Sequence, residues 1–556
     1  MQNIFLIGLS GSGKSSVGKA LADRLGMPFL DSDALIEAEC GERIATLFAR
    51  EDGEAFFRAY ESRILAQITA NTEGAVIATG GGAIIRPENR RLLQEHGLRL
   101  YLFTEPELAL ERLQAQHLAS TTLGEAPEIR PLLAGPDPLA RLRRLLQERA
   151  AWYEEADFTI PTVGLPLEKV VQACLAVLIG AGAVSTSEIE RIVRRVHLAK
   201  EYDTVVEWGG LGRLGDYLLD LKLPSRVFLI TDSRVGQLYA PAVIRSLQQR
   251  GFEPVVYTLP AGEGSKSIAQ LGEIYDWLLE QHAERREAII ALGGGVVGDL
   301  AGYVAATYLR GVPLIQVPTS LLAQVDAAIG GKTGINHPRG KNLIGAFYHP
   351  QLVLADPAVL LTLPERERCE GWAEVIKYGI ILDADLFGRL ETYAPVLRDF
   401  VQPPPALLCE LIARCIALKV AIVEEDEREQ GRRAILNYGH TFGHALENVA
   451  GYGEWLHGEA VSLGMVVAAR LALEAGICRM DLVERQERLL ISLGLPTRYR
   501  GTARSQAILD AMQLDKKVAG KRVYWVMPHQ PGEVSVTPLP DELVQRIVTA
   551  FLAEKG

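Results

Sequence analysis

The chain is poor in histidine, with 10 among its 556 residues, and in cysteine, methionine and tryptophan, with six of each. The cysteines, at positions 40, 174, 369, 409, 415 and 478, form no CxxC pair. No disulfide framework is implied, and reduced, mostly buried thiols of a cytoplasmic protein are expected. An excess of positive charge is also missing. Lys and Arg number 58 against 69 Asp and Glu, a formal net charge of −11, which argues against a general binder of nucleic acid or anionic membranes while leaving room for a local basic pocket. No apolar run suits a membrane span, since the stretch around 170–184 is interrupted by Glu168, Lys169 and Gln172. Residues 1–10 lack a basic segment followed by a cleavage site and read as a buried strand instead of a signal peptide. Repeats and low-complexity tracts are absent. What remains is 48% hydrophobic and 23% charged, an ordinary globular composition in a chain too long for one core, so two or more domains are expected.

Against that scarcity, three histidines fall within NYGHTFGHALENVAGYGEWLHGE (437–459): His440, His444 and His457. His440 and His444 are four apart and share one face of a helix, which Glu447 continues. His457 opens a second apolar helix. Two helices joined by a Gly-rich turn can aim imidazoles at one point, the chemistry that zinc and similar ions favour. Spacing alone pairs His440 with His444.

At the other end, a short apolar strand (3–8) runs into GLSGSGKS (8–15), a phosphate loop in the required strand–loop–helix setting. The glycines let backbone N–H groups converge on phosphate, helped by the helix N-terminus. Lys14 is expected to reach the β/γ phosphates and Ser15 to ligate Mg²⁺. FLDSD places Asp31 and Asp33 at the end of a second strand, where open α/β sheets bind ligands. Arg58 falls in a helical EAFFRAYES, Gly80, Gly81 and Gly82 follow a third strand, and Arg130 follows a polar segment that suits a lid. Arg149 closes a helix before Trp152 and Tyr153.

These motifs together resemble the shikimate kinases over essentially all of residues 1–175. The resemblance implies that Gly11, Ser12, Gly13, Lys14, Ser15, Ser16 and Arg130 bind ATP, with Mg²⁺ at Ser15 and Asp31. It implies that Asp33 holds a shikimate hydroxyl and is a candidate base, that Arg58 and Arg149 clamp the carboxylate, and that Gly80–82 backs the ring. Lys14, Asp33 and Arg130 are the expected catalytic groups. One departure stands out: between Arg112 and Arg130 there is no Lys or Arg, where relatives often carry one.

FTIPT near Phe158 reads as the closing strand of this part and LEKVVQACLAVLIG as its last helix. The small, polar AGAVSTSE (181–188) suits a linker, and EIERIVRRVHL reads as a basic helix leading to a strand near Tyr202.

Beyond it, RVFLITDS (226–233) is a strand ending at Asp232. AIIALGGGVVGD fits G-x-G-x-x-G after a strand through Gly293, Gly295 and Gly298. It lacks the acidic residue expected about 20 positions on, so this pattern alone is compatible with a tight turn. Basic residues recur along the rest of the half, several of them on Gly-rich loops, and a set of them beside a metal suggests a substrate bearing phosphate and carboxylate.

The blocks GGGVVGD, PTSLLAQVD, GGKTGINH, GKNLIGAF, AEVIKYG, NYGHTFGHA and HGEAV, in this order, closely resemble 3-dehydroquinate synthase over about 196–556. The resemblance implies Glu374, His440 and His457 as ligands of Zn²⁺ or Co²⁺, with His444 beside the metal as a substrate-contacting or proton-handling group. It implies an NAD site lined by Asp232, Glu263, Lys266, Gly294, Gly295, Val296, Asp299, Thr319 and Ser320, with Lys332 and Lys341 near it. Substrate would be held by Asp326, Lys332, Asn342, Lys377, Lys419, Arg433, Asn437 and Lys516, with Lys341 shared, and Lys332, Lys377, Lys419, Arg433 and His444 would be catalytic. In the implied reaction a seven-carbon keto-acid phosphate, DAHP, loses phosphate and closes to 3-dehydroquinate, while NAD takes a hydride and gives it back.

The expected architecture is α/β: a P-loop kinase with a parallel sheet (1–178), a linker (179–195), a Rossmann-like NAD-binding domain (196–365) and a mainly helical metal-binding domain (366–556). Its partners would be small molecules, shikimate, ATP and DAHP, with neither nucleic acid nor membrane, and the family suggests a homodimer through the synthase half. Two alternatives remain: a metal- and NAD-dependent polyol dehydrogenase in the second half, and a non-catalytic ATP-binding regulatory module in the first.

Overall fold

The structure is a computed structural model that describes residues 2–122, 137–184, 191–400, 404–451, 454–502, 504–519 and 523–554, with the side chains of 118–122, 399 and 513–519 outside that description. It forms two units, one made by Met1–Ser185 with Gln237–Pro241 and the other by Thr186–Gly236 and Ala242–Gly556. Among the described residues no helix is long and apolar enough to cross a membrane.

The first unit is a five-stranded sheet built from β1 (Asn3–Ile7), β2 (Phe29–Asp31), β3 (Val76–Ala78), β4 (Gly97–Phe103) and β5 (Phe158–Pro161), in the order β2-β3-β1-β4-β5. Every pairing is parallel. β1 is buried at all its positions, as a central parallel strand covered on both faces must be. Its core neighbours include Leu65, Ile77, Tyr101 and Tyr153. The carboxyl end of β1 opens into the phosphate loop, and Gly13, in a left-handed conformation at φ 92°, caps the helix Lys14–Leu25, a backbone that side-chain-bearing residues rarely adopt.

The second unit holds a seven-stranded sheet of β6 (Ile192–Val196), β7 (Tyr202–Val206), β8 (Arg226–Asp232), β9 (Glu253–Leu259), β10 (Ala288–Gly293), β11 (Leu314–Pro318) and, after an antiparallel hairpin of β12 (Lys332–His337) and β13 (Gly340–Phe347), β14 (Leu352–Ala355). The order is β6-β7-β14-β11-β10-β8-β9, parallel throughout except for β6 against β7. Of the helix expected at 188–198, residues 188–190 lie outside the described residues, and β6 replaces it over Ile192–Val196. Ile192, Val193 and Val196 are β-branched, and pairing along the whole length of β7 overrides the local helical reading. From β8 the chain runs outward to β9, and from β10 it runs the other way to β11. The carboxyl ends of β8 and β10 therefore flank the switch point where such sheets bind ligands.

A helical part follows, beginning with Glu365–Ile381 and including Pro405–Glu425, His440–Ala450 and His457–Glu474, with one further hairpin of β15 (Tyr524–Gln530) and β16 (Glu533–Pro538). The His457–Glu474 helix is packed backbone to backbone. A Cβ at Gly464 would overlap the Gly439 carbonyl, and one at Gly458 would overlap the Glu370 carbonyl. Only glycine allows this approach, and it brings the helices bearing Glu374, His440 and His457 together.

Candidate active sites

In the first unit the predicted residues gather at the carboxyl ends of the sheet. Lys14 Nζ donates to the carbonyls of Gly8 and Leu9, each at 2.9 Å. Ser15 Oγ donates to Asp31 Oδ2 at 2.6 Å, so the two residues expected to bind Mg²⁺ touch. Asp31 also caps the helix Ser32–Cys40, accepting from the Asp33 and Ala34 N–H groups, which puts Asp33 in a first helical turn and not at a strand end. Around Gly80–82 the rest converges. A Cβ on Gly80 would lie 2.6 Å from both Asp33 Oδ1 and Glu61 Oε1, and one on Gly82 would overlap the Arg58 guanidinium. The Gly81 carbonyl accepts from Arg149 Nη1 and the Tyr153 hydroxyl, both at 2.8 Å. Glu61, fully buried, accepts from Arg58 Nη1 at 2.7 Å; burial raises its pKa, and Arg58 only partly offsets this. Arg130 lies outside the described residues.

In the second unit the donor atoms of Glu374, His440 and His457 lie within 4.8 Å of one another. Glu374 is fully buried, and its Oε1 has no hydrogen-bond partner. It faces His440 Nε2 at 3.6 Å and His457 Nε2 at 3.8 Å, while its other oxygen contacts Lys377. The far side of each ring is fixed. His440 Nδ1 donates to the Tyr438 carbonyl at 3.1 Å, and His457 Nδ1 pairs with Glu447 Oε2 at 3.1 Å. Both imidazoles thus turn a lone pair toward Glu374, the arrangement a divalent metal needs. Burial, with Lys377 and the neighbouring histidines, pushes His440 well below its usual value and keeps it neutral. His457 is pulled down by burial but raised overall by Glu447, Glu374 and Glu370.

A second grouping, His444, Glu447 and His457, also converges. A neutral imidazole has one lone pair, so His457 serves only one grouping at a time, and the Nδ1–H bond to Glu447 selects the first. Neither grouping contains both His440 and His444. Their rings are 5.2 Å apart, but the pairing that spacing suggests is not the one whose atoms meet.

The residues expected to line the nucleotide site flank the switch point. Asp232 ends β8 and caps the helix Ser233–Gln249. Gly294 caps the helix Gly295–Thr307, which includes Val296 and Asp299 and has no side-chain cap, leaving its N-terminal N–H groups for an anion. Thr319 N donates to the Gly293 carbonyl at 2.9 Å, which draws Thr319 and Ser320 beside the glycines. Lys266 Nζ donates to Asp299 Oδ2 at 2.5 Å and also contacts Asn342, and Glu263 accepts from Asn336 at 2.6 Å.

Four of the predicted lysines are each set against an acid. Lys332 pairs with Glu429, Lys341 with Glu447 at 2.7 Å, Lys377 with Glu374 and Lys419 with Asp326 Oδ1 at 2.8 Å. Asp326, expected on a Gly-rich loop, sits in a π-helical turn, Ala323–Ala327, a conformation frequent at functional sites. Burial alone would raise Asp326, but Lys419 and Lys377 hold it well below the carboxylate range. Burial brings Lys419 down to about 8 against the pull of Asp326, so the pair is charged at neutral pH. Lys332 and Lys341, also expected on loops, lie on the β12–β13 hairpin. Buried Arg433 donates to the carbonyls of Glu427 at 2.6 Å and Gly330 at 3.3 Å, and Asn437 donates to Glu429 at 3.2 Å. His444 is exposed, and Lys516 lies in the helix Ser505–Ala519 with its side chain outside the description.

Two carboxylates in these sites, Glu61 and Glu429, went unread in the sequence. Glu61 lies three residues after Arg58 in one helix, a spacing that was available. Glu429 reaches Lys332 across the fold from a position no local pattern marks, and Glu447, read only as continuing the face of His440 and His444, reaches Lys341.

Comparison with known proteins accounts for both units. The family model for shikimate kinase matches residues 10–179. Models described as 3-dehydroquinate synthase N-terminal and C-terminal match 256–370 and 371–518. The 3-dehydroquinate synthase of Desulforamulus reducens is 49% identical over 338 residues, 61% of this chain and 93% of that protein. That of a Synechococcus strain is 48% identical over 353 residues, 63% of this chain and 96% of that protein. Among solved structures, a 2-epi-5-epi-valiolone synthase from Streptomyces hygroscopicus with NAD⁺ and Zn²⁺ bound is 27% identical. It aligns at a TM-score of 0.59 over 65% of this chain and 100% of its own. A 2-deoxy-scyllo-inosose synthase complexed with carbaglucose-6-phosphate, NAD⁺ and Co²⁺ is 25% identical, with a TM-score of 0.58 and the same coverage.

Proposed function

The chain belongs to the 3-dehydroquinate synthase family and carries a shikimate kinase ahead of it, which makes it a bifunctional enzyme of the shikimate pathway; from that premise we propose which residues perform each reaction. In the first unit, loop residues Gly11, Ser12, Gly13 and Ser16 cradle the ATP phosphates, and Lys14 leaves its carbonyl partners for the β/γ phosphates. Ser15 and Asp31 would hold Mg²⁺, and Arg130 would neutralise the phosphates. Asp33 orients the attacking hydroxyl of shikimate and accepts its proton. Arg58, steadied by Glu61, and Arg149 grip the carboxylate beside Gly80–82. A Gly82→Ala change, whose Cβ would displace the Arg58 guanidinium, is expected to raise the KM for shikimate roughly 10-fold or more, the worth of one charge-assisted hydrogen bond. An assay of ADP formation at varied shikimate checks it.

In the second unit Glu374, His440 and His457 would hold Zn²⁺ or Co²⁺. The observation that carries this reading is the buried, unpartnered Glu374 Oε1 between two Nε2 atoms at 3.6 and 3.8 Å. Such an ion would supply Lewis acidity toward substrate hydroxyls, and Asp232, Gly294 and Gly295 with Glu263, Lys266, Asp299, Thr319 and Ser320 would hold NAD, which would supply a reversible hydride acceptor. Lys332, Lys377, Lys419, Arg433, Asn437, Asn342 and Lys516 bind the phosphate and carboxylate of DAHP, Lys341 being shared with the cofactor. Asp326 keeps Lys419 charged, and His444 at the exposed side of the cluster handles protons. The domain division proposed is that expected, 1–178, 179–195, 196–365 and 366–556, with one change: β6, Ile192–Val196, belongs to the nucleotide-binding part, which shortens the linker to 179–191. A homodimer through the synthase half and a cytoplasmic location, suited to six free cysteines, complete the reading.

A two-arm assay tests it. The purified chain is expected to release phosphate from DAHP at substoichiometric NAD⁺, and to form ADP from ATP only when shikimate is present. Net NADH accumulation from a simple alcohol would return the dehydrogenase alternative, against which Lys332, Lys377 and Lys419 argue. ADP formation indifferent to shikimate would return the regulatory one.

A further inference from the structure

Glu447 stands between two parts of the synthase site that otherwise have separate supports. It is 7% exposed on the helix His440–Ala450. Its Oε2 takes the Nδ1 proton of His457, the first residue of the next helix, at 3.1 Å. Its Oε1 takes a proton of Lys341 Nζ, on β13, at 2.7 Å. One buried carboxylate therefore serves a candidate metal ligand and a candidate substrate cation from different elements. With an N–H donor on each of its oxygens, the carboxylate acts as an acceptor toward both partners.

We propose that Glu447 is a positioning residue that couples the metal centre to Lys341, fixing His457 in the tautomer that presents Nε2 while sharing its charge with the lysine. The coupling rests on the metal centre proposed above. Acceptor strength given to one partner is withdrawn from the other, because hydrogen bonds through one carboxylate polarise each other. Electron withdrawal at His457 Nε2 strengthens the Nδ1–H bond to Glu447 and loosens Lys341 for an anion. Conversely, a Lys341 engaged elsewhere leaves Glu447 wholly to His457 and raises the basicity of Nε2. The two effects must match in size, as any linkage must.

The test is Zn²⁺ affinity, measured by competition with a fluorescent chelator on four proteins: wild type, Glu447→Gln, Lys341→Met and the double variant. The Gln amide cannot accept from both partners through its single oxygen. Zn²⁺ affinity is expected to fall roughly 10- to 100-fold in Glu447→Gln, the range for removing a group that orients a metal-bound histidine. Lys341→Met is expected to tighten Zn²⁺ several-fold when Glu447 is present and to have no effect in the Gln background, the non-additivity of a direct coupling. Should Glu447→Gln melt before assay, Glu447→Asp keeps the charge but is one methylene too short to span both partners. It is expected to weaken Zn²⁺ binding and erase the Lys341 effect. Equal Zn²⁺ affinity in wild type and Glu447→Gln would overturn the coupling, as would a Lys341→Met effect that is the same, or absent, in both backgrounds. A wild-type protein that takes up no Zn²⁺ would remove the metal centre itself.

Discussion

His457→Ala protein is expected to keep its shikimate-dependent ADP formation while its release of phosphate from DAHP falls by about 10³-fold or more. A Lewis acid is worth several kcal/mol to such chemistry, and each 1.36 kcal/mol is about tenfold in rate. Three atoms hold the ion in this reading, and His457 contributes one whose orientation is set by Glu447. Truncation also leaves Glu447 and Glu374 facing each other across a space with no imidazole, so retained metal should fall together with activity. A zinc-selective chelator, added with Mg²⁺ in excess, should reproduce the result in the wild type. Metal content by atomic absorption and both activities on one preparation check it. Loss of ADP formation in the same variant, with melting unchanged, would contradict separate sites.

The converse variant, Lys14→Ala, is expected to lose about 10²- to 10³-fold of its kinase kcat, the usual consequence of removing one preorganised cationic donor from developing charge. Lys14 is nearly buried, with its ammonium on the carbonyls of Gly8 and Leu9 at 2.9 Å. It is thus held within the loop and ready to exchange those two acceptors for phosphate oxygens. DAHP turnover should be unchanged, because the core beneath the loop, which includes Phe5, Ile7 and Ile77, is separate from the one under the second sheet, which includes Phe228, Ile289 and Leu300. Wild-type kinase activity in Lys14→Ala would remove the phosphate-loop reading, and loss of both activities would again contradict independence.

Much of this was legible in the chain itself. The phosphate loop was marked by strand, glycines and helix in sequence, and the two halves by ordered blocks too numerous to coincide. Less legible was whatever depended on contacts across the fold. The spacing of His440 and His444 describes one helix, whereas the atoms that meet come from three, one of which carries Glu374. Asp326 gave no sign of a π-helical turn, because its placement depends on the Lys419 and Tyr378 partners packed against it. Glu429 was invisible for the same reason, its charged surroundings (424–430) reading locally as solvated surface, and Glu447, placed on the histidine face, gave no sign of the lysine it meets. The helix expected at 188–198 failed where an unpaired edge of β7 offered a better partner.

That edge has a practical bearing on anyone dividing the gene. Residues ahead of Tyr202 look dispensable to the synthase, yet Ile192–Val196 is the outermost ribbon of its sheet. A fragment begun at Tyr202 would bare a row of amide and carbonyl groups ready to stitch one copy to the next. Scissors belong before Arg191, so that the excised synthase keeps its own selvedge.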